Sequence, residues 1–107
     1  MELKSLFSSI PADLPEELQQ SLLSGGKFRM ERIVSHGQVS PEDFWYDQQE
    51  HEWVLLLQGE AEIEYDDGSR RVLKSGDCEL IPSHKRHRVA FTSFEQQTIW
   101  LALFFED

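Results

Sequence analysis

Apolar and polar residues alternate along much of this chain with the two-residue period of strands that bury one face. The clearest case is Glu60 to Asp66, where Ala61, Ile63 and Tyr65 alternate with four acidic residues. Asp67-Gly68 follows and predicts a tight turn, with Val72 and Leu73 on the return strand. Phe28 to Ser35 alternates less cleanly. Phe28, Met30, Arg32 and Val34 share one side and Arg29, Glu31, Ile33 and Ser35 the other, which predicts an edge or partly wetted strand. Trp53 to Gln58 is apolar on both faces, as is Gln97 to Phe105. In the latter, Trp100, Ala102 and Phe104 oppose Ile99, Leu101, Leu103 and Phe105. A strand apolar on both faces invites aggregation when exposed. It is therefore expected to be central, or covered by another element or by a second subunit, and a homodimer is anticipated. Gly59 and Gly76-Asp77 turn the chain, Cys78 and Leu80 lead to Pro82, and Val89 to Phe91 is a further short strand.

The N-terminal part reads differently. Leu3, Leu6, Phe7 and Ile10 recur at intervals of three or four residues, as in a helical turn, and Pro11 interrupts them. Asp13-Leu14-Pro15-Glu16 has the form of a helix start, with Asp13 as cap and Glu16 as its box partner. Leu14, Leu18 and Leu22 supply an apolar side, and Gly25-Gly26 a stop. Many short strands joined by Gly, Asp and Pro turns point to a sandwich or a double-sheet barrel. The expectation is one domain over residues 1–107: an N-terminal helical extension at 1–26 and an all-β body at 28–105.

Charge narrows the choice of partners. Twenty acidic side chains against ten basic ones give a net charge of -10. That excludes general binding to phosphate backbones, so no nucleic-acid partner is expected. A local basic cluster, Lys85-Arg86 with Arg88, suits an anionic small ligand. The single cysteine, Cys78, rules out an internal disulfide and reads as a small buried apolar residue. No apolar run approaches membrane-spanning length and no basic, apolar leader opens the chain, so a soluble cytoplasmic protein is expected.

Two blocks carry a resemblance. Glu52 precedes Gly59 by seven positions; Gly76 precedes Pro82 by six, and Pro82 precedes His87 by five. With these spacings the chain resembles the cupin family, in particular its small single-domain members, over roughly residues 28–105. The resemblance implies a jelly-roll, double-stranded β-barrel around a pocket. In that family an HxH pair, the glutamate and the final histidine typically hold one divalent metal ion. Here the pair's positions are Trp45 and Asp47, or Tyr46 and Gln48 at the shorter spacing, and none is histidine. Ser83-His84 stands where the family commonly has another residue followed by glycine.

The residues themselves leave alternatives open. Glu52 and His87 are the chief pocket candidates, joined by His84, Asp47, Tyr46, Trp100 and Arg88. A divalent ion (Fe, Mn, Zn or Ni) would draw on Glu52, His87, His84 and Asp47. Equally, Glu52, His87 and Asp47 form a hydrogen-bonded network without metal. His51 and Glu52 are adjacent, so on a regular strand only one of them faces the pocket. His36 is expected to support a strand-end turn. Tyr46 and Trp100 would flank a ligand, and Arg88 would pair with a carboxylate or phosphate. Three readings follow: a small-molecule-binding cupin of unassigned chemistry, a metal-dependent dioxygenase or isomerase of a sugar or small acid, and a non-catalytic interaction module using the terminal strand.

Overall fold

Among the described residues, eight strands make up the fold: β1 (Leu18–Ser24), β2 (Phe28–Ser35), β3 (His51–Gln58), β4 (Glu60–Tyr65), β5 (Arg70–Lys74), β6 (Cys78–Ile81), β7 (His87–Thr92) and β8 (Thr98–Phe105). The structure, a computed structural model, describes residues 3–107. Met1 and Glu2, the first positions of the anticipated extension, lie outside the described residues. A five-stranded antiparallel sheet has the order β1-β2-β8-β3-β6, and a three-stranded sheet the order β5-β4-β7. β8 is thus central, as its two apolar faces require, and β2 lies between β1 and β8 instead of at an edge.

Two expectations need correction. The first is the closed barrel. Closure needs a ladder that runs unbroken around the structure. Here the ladders stop at β1 and β6 in one sheet and at β5 and β7 in the other, so the fold is an open double sheet. The second is the N-terminal helix. No helix occurs among the described residues. Leu18–Ser24 is a strand, in which Leu18, Gln20 and Leu22 are half-buried while Gln19, Ser21 and Leu23 are exposed. Leu14, Leu18 and Leu22 are four apart, and four is a multiple of the strand period as well as close to one helical turn. The ladder to β2 decides between them, pairing Leu18 with Val34 and Gln20 with Arg32. Gly25 and Gly26 link β1 to β2, with Gly25 N–H donating to Phe28 O at 2.8 Å.

The facing sides of the sheets bury Val54, Leu56, Ile63, Leu73, Ile81 and Trp100, among others. A second cluster lies outside the larger sheet, where Leu14 and Ile10 of the N-terminal segment cover Val34 and Ile99. Arg32 ties that segment down. It is fully buried and donates to the carbonyls of Leu6, Ser8 and Ser9 and to Gln20 Oε1. At Gly59 (φ +96°) a Cβ would lie 2.6 Å from Thr98 Cα, so the β3–β4 bend admits only glycine.

Replacing Arg32 by leucine strands three carbonyls that the guanidinium now satisfies. The expected cost is about 2–4 kcal/mol in denaturant unfolding. Limited proteolysis should then cut within residues 3–17 before it cuts the sheets. Cleavage at the wild-type rate would show that Arg32 does not anchor the segment.

Candidate functional site

A cavity of about 470 Å³ lies between the sheets. Its apolar wall comes from Val54, Ile63, Ile81, Val89, Trp100 and Phe104. The polar residues that meet at its centre come from three places. β3 supplies Glu52, because the strand's inward positions run Glu52, Val54, Leu56. β7 supplies His87 at its first residue. The connection between β2 and β3 supplies Tyr46 and Gln48, two residues apart and therefore on one side of an extended chain.

That connection is pinned along the free edge of β7. Tyr46 N–H donates to His87 O at 2.7 Å, and His87 N–H returns to Tyr46 O at 3.1 Å. Ser40 N–H donates to Val89 O at 2.9 Å, and His84 N–H to Gln48 O at 2.8 Å. The four side chains consequently meet. His87 Nε2 lies 3.3 Å from Glu52 Oε1, and Gln48 Nε2 donates to the same oxygen at 2.9 Å. The Tyr46 ring stacks on the imidazole, with centroids 5.5 Å apart. His87 Nδ1 lies 2.8 Å from Lys85 O. A carbonyl only accepts, so Nδ1 carries a proton and Nε2 is turned toward Glu52.

The electrostatics follow from this packing. Burial pushes the His87 imidazole down, but the hydrogen bond to Glu52, the Lys85 carbonyl and the Glu52 charge together leave it above its ordinary value. Burial raises the Tyr46 phenol, and the charges of Glu17 and Glu52 raise it further against a hydrogen bond with Ser40. Tyr65, which donates to Glu79 at 2.6 Å, is also pushed up, by burial first and then by that bond.

The other anticipated residues go elsewhere. His84 and Asp47 pair with each other at 2.7 Å on the exposed surface and do not line the cavity. His84 has φ 61°, the left-handed conformation that glycine takes most easily, at the position where the cupin pattern has glycine. Arg88 donates to Glu64 at 2.9 Å and to Ser40 O at 3.1 Å, outside the cavity lining. His51 points away from Glu52, accepting from Ser83 N–H and meeting Asp107. His36 supports the turn after β2 through Phe94 O at 2.8 Å. Cys78 is exposed, against the reading of a buried apolar residue, because it lies with Leu80 on the outer side of β6, opposite Leu55 of β3.

Trp100 and Tyr46 do line the cavity. So do Arg29 and Glu31, which the alternation in β2 had put on one side with Ile33. No motif marked them as site residues. Glu16, read as the box partner of a helix start, also lines the cavity, as does Glu17.

A model of the cupin domain matches residues 30–104. The chain belongs to the cupin family. Among solved structures, it is 40% identical, with a TM-score of 0.94 and 100% of both chains covered, to a protein of Ralstonia eutropha JMP134 provisionally called a mannose-6-phosphate isomerase. A cupin superfamily protein of Desulfitobacterium hafniense DCB-2 is 21% identical, with a TM-score of 0.75 over 92% of this chain and 84% of its own. The TT1209 protein of Thermus thermophilus is 15% identical, with a TM-score of 0.78 over 98% and 97%. The last two show likeness of fold alone. No curated protein matches the chain.

The metal that cupins commonly hold does not fit these residues. Among the described residues no three His, Cys, Asp or Glu side chains come together as an ion would require. Glu52 and His87 are two donors; Tyr46 and Gln48 occupy the places of the histidine pair, and Gln48 turns its amide N–H toward Glu52. His84 and Asp47, the two further ligands anticipated, are spent on each other. The indole N–H of Trp100 is buried without a partner.

Because the His87 pKa is higher in the folded chain, His87 contributes stability that is fully present below the unfolded value, about 6.5, and is lost as pH rises through the folded one. His87→Gln should therefore cost most near pH 6, the gap to wild type narrowing above that in urea titrations. A gap that is constant or widens toward high pH would exclude an imidazolium–carboxylate pair.

Proposed function

We propose that the chain is a metal-free cupin that binds a small organic molecule in the cavity, with Glu52 and His87 as its polar anchor. The observation that carries this reading is the placement of that pair. An ionisable couple, both members largely buried, sits beside the apolar wall of Val54, Ile63, Ile81, Val89, Trp100 and Phe104 in a cavity of small-molecule size. Gln48 and His87 both address Oε1 of Glu52, and among the described residues no donor reaches Oε2. A hydroxyl or amine of a ligand is the natural partner for that oxygen. Trp100 and Phe104 would hold its apolar part.

A second reading rests on the relative provisionally called a mannose-6-phosphate isomerase. Glu52 and His87 are an acid and a base in contact, the minimum for moving a proton between neighbouring carbons. Phosphate recognition is less well supported. Arg29 is the one arginine in the lining, and its guanidinium is divided between Glu31 at 2.5 Å and Glu50 at 2.9 Å. We therefore favour binding of a neutral or amine-bearing molecule over turnover of a sugar phosphate.

We also propose a homodimer. Trp53 and Leu55 of β3 flank Leu101 and Leu103 of β8 and Leu80 of β6 on the outer face of the larger sheet. Leu80 is 54% exposed. A second copy would cover this face by two-fold pairing. Leu103→Lys should convert a dimer to a monomer in light scattering with the fold intact; a wild-type chain that is monomeric at micromolar concentration would refute the arrangement.

Organic extraction of protein purified without chelator, followed by mass spectrometry, tests the binding reading. A recovered or screened ligand should lose on the order of tenfold to hundredfold in affinity with Glu52→Gln or His87→Gln. Affinity unchanged in both variants would remove the pair from the site.

A further inference from the structure

We infer that Tyr46 and Gln48 are the residues that keep this cavity free of a divalent ion, and that the rest of a metal centre is already assembled around them. The inference rests on the metal-free reading above. Four side chains converge from a backbone fixed by the Tyr46–His87 and His84–Gln48 hydrogen bonds. Two of them, Glu52 and His87, are good ligands, and the Lys85 carbonyl on Nδ1 leaves His87 Nε2 turned into the cavity, as a metal-binding imidazole requires. Gln48 presents an amide N–H to Glu52, which repels a cation from that oxygen. The phenol of Tyr46 covers the open face of the imidazole.

Both obstacles are side chains, not backbone. A histidine ring carries Nε2 at nearly the reach of the glutamine amide nitrogen, so Gln48→His would place a lone pair where an N–H now meets Glu52. Tyr46→His removes the far end of the phenol and opens room beside His87. The donors then become three imidazoles and one carboxylate, a set suited to zinc, cobalt or manganese.

The experiment compares wild type, Y46H/Q48H and Y46H/Q48H/H87Q, each stripped with chelator, loaded with Co²⁺ or Zn²⁺ and desalted. Metal content, thermal unfolding and the visible absorption of Co²⁺ are read on all three. The double variant should hold about one ion per chain, unfold at a higher temperature with metal, and give the absorption of cobalt bound by protein ligands. Wild type and the triple variant should hold less than about a tenth of that. Any weak uptake by the surface His84–Asp47 pair is common to all three. A folded double variant that takes up no ion overturns this inference alone. A full equivalent in wild type, lost with His87→Gln, overturns both the inference and the metal-free reading. If the double variant does not fold, Gln48→His alone supplies the test: metal should raise its unfolding temperature and not that of wild type, and no difference between them counts against the inference.

Discussion

The edge of β7 would expose a row of unpaired amides and carbonyls if residues 36–50 did not lie along it. Those residues make the closing contacts instead. Tyr46 and His87 exchange backbone hydrogen bonds in both directions, and Ser40 adds another to Val89. The same bonds that seal the edge set the chemistry of the cavity. They fix Tyr46 and Gln48 on the inner side of the connection and hold His87 at the start of its strand, where Glu52 on the opposite sheet can reach it. Without this bridge Gln48 would have no fixed relation to Glu52, and the imidazole would lose the ring stacked against it. An edge-protection device and a binding site are here one set of contacts.

Charge in the cavity is arranged by the same economy. Arg29 lies with its guanidinium carbon 3.9 Å over the Phe104 ring while its nitrogens reach Glu31 and Glu50. Its hydrogen-bonding and its aromatic face are both committed, so it screens the acidic residues around it and leaves little for an anionic ligand. Glu17 is likewise engaged, accepting from Ser35 at 2.9 Å. The field that remains is negative, and Tyr46 registers it through the charges of Glu17 and Glu52. A chain with a net charge of -10 thus carries its acidity into the pocket as well as over its surface.

Much of this was legible in the sequence, for reasons that can be traced residue by residue. The alternation from Glu60 to Tyr65 is the β4 ladder, and the doubly apolar run from Thr98 to Phe105 is the central strand. Glu52 and His87 were found because block spacing survives where the ligands do not. The adjacency of His51 and Glu52 allowed only one of them to face the cavity on a regular strand, and the structure turns Glu52 inward. The leucines at 14, 18 and 22 could not distinguish strand from helix, since their interval serves both periods. Only the partner of β1, and the demand of Arg32 for Gln20, resolves them. The association of His84 with Asp47 depends on a left-handed turn that sequence does not announce when the residue is not glycine. Barrel closure was expected from the run of short strands and turns and from the resemblance, yet neither says whether the last ladder forms, and here it does not.

The carboxylate–imidazole pair is hard to justify as a stabilising device alone. Taking both groups out of water costs several kcal/mol each before their attraction is counted, and apolar residues of similar size often do as well. Neighbours repair part of that cost: the Gln48 amide and the Lys85 carbonyl satisfy one atom on each partner. The repair is incomplete on the cavity side, where Oε2 of Glu52 meets no donor from the described residues. That oxygen suits a molecule that can present a hydroxyl or amine. The incompleteness therefore argues for an organic ligand, and explains why an apolar repacking of the same cavity, although favourable for folding, would leave the site without a purpose.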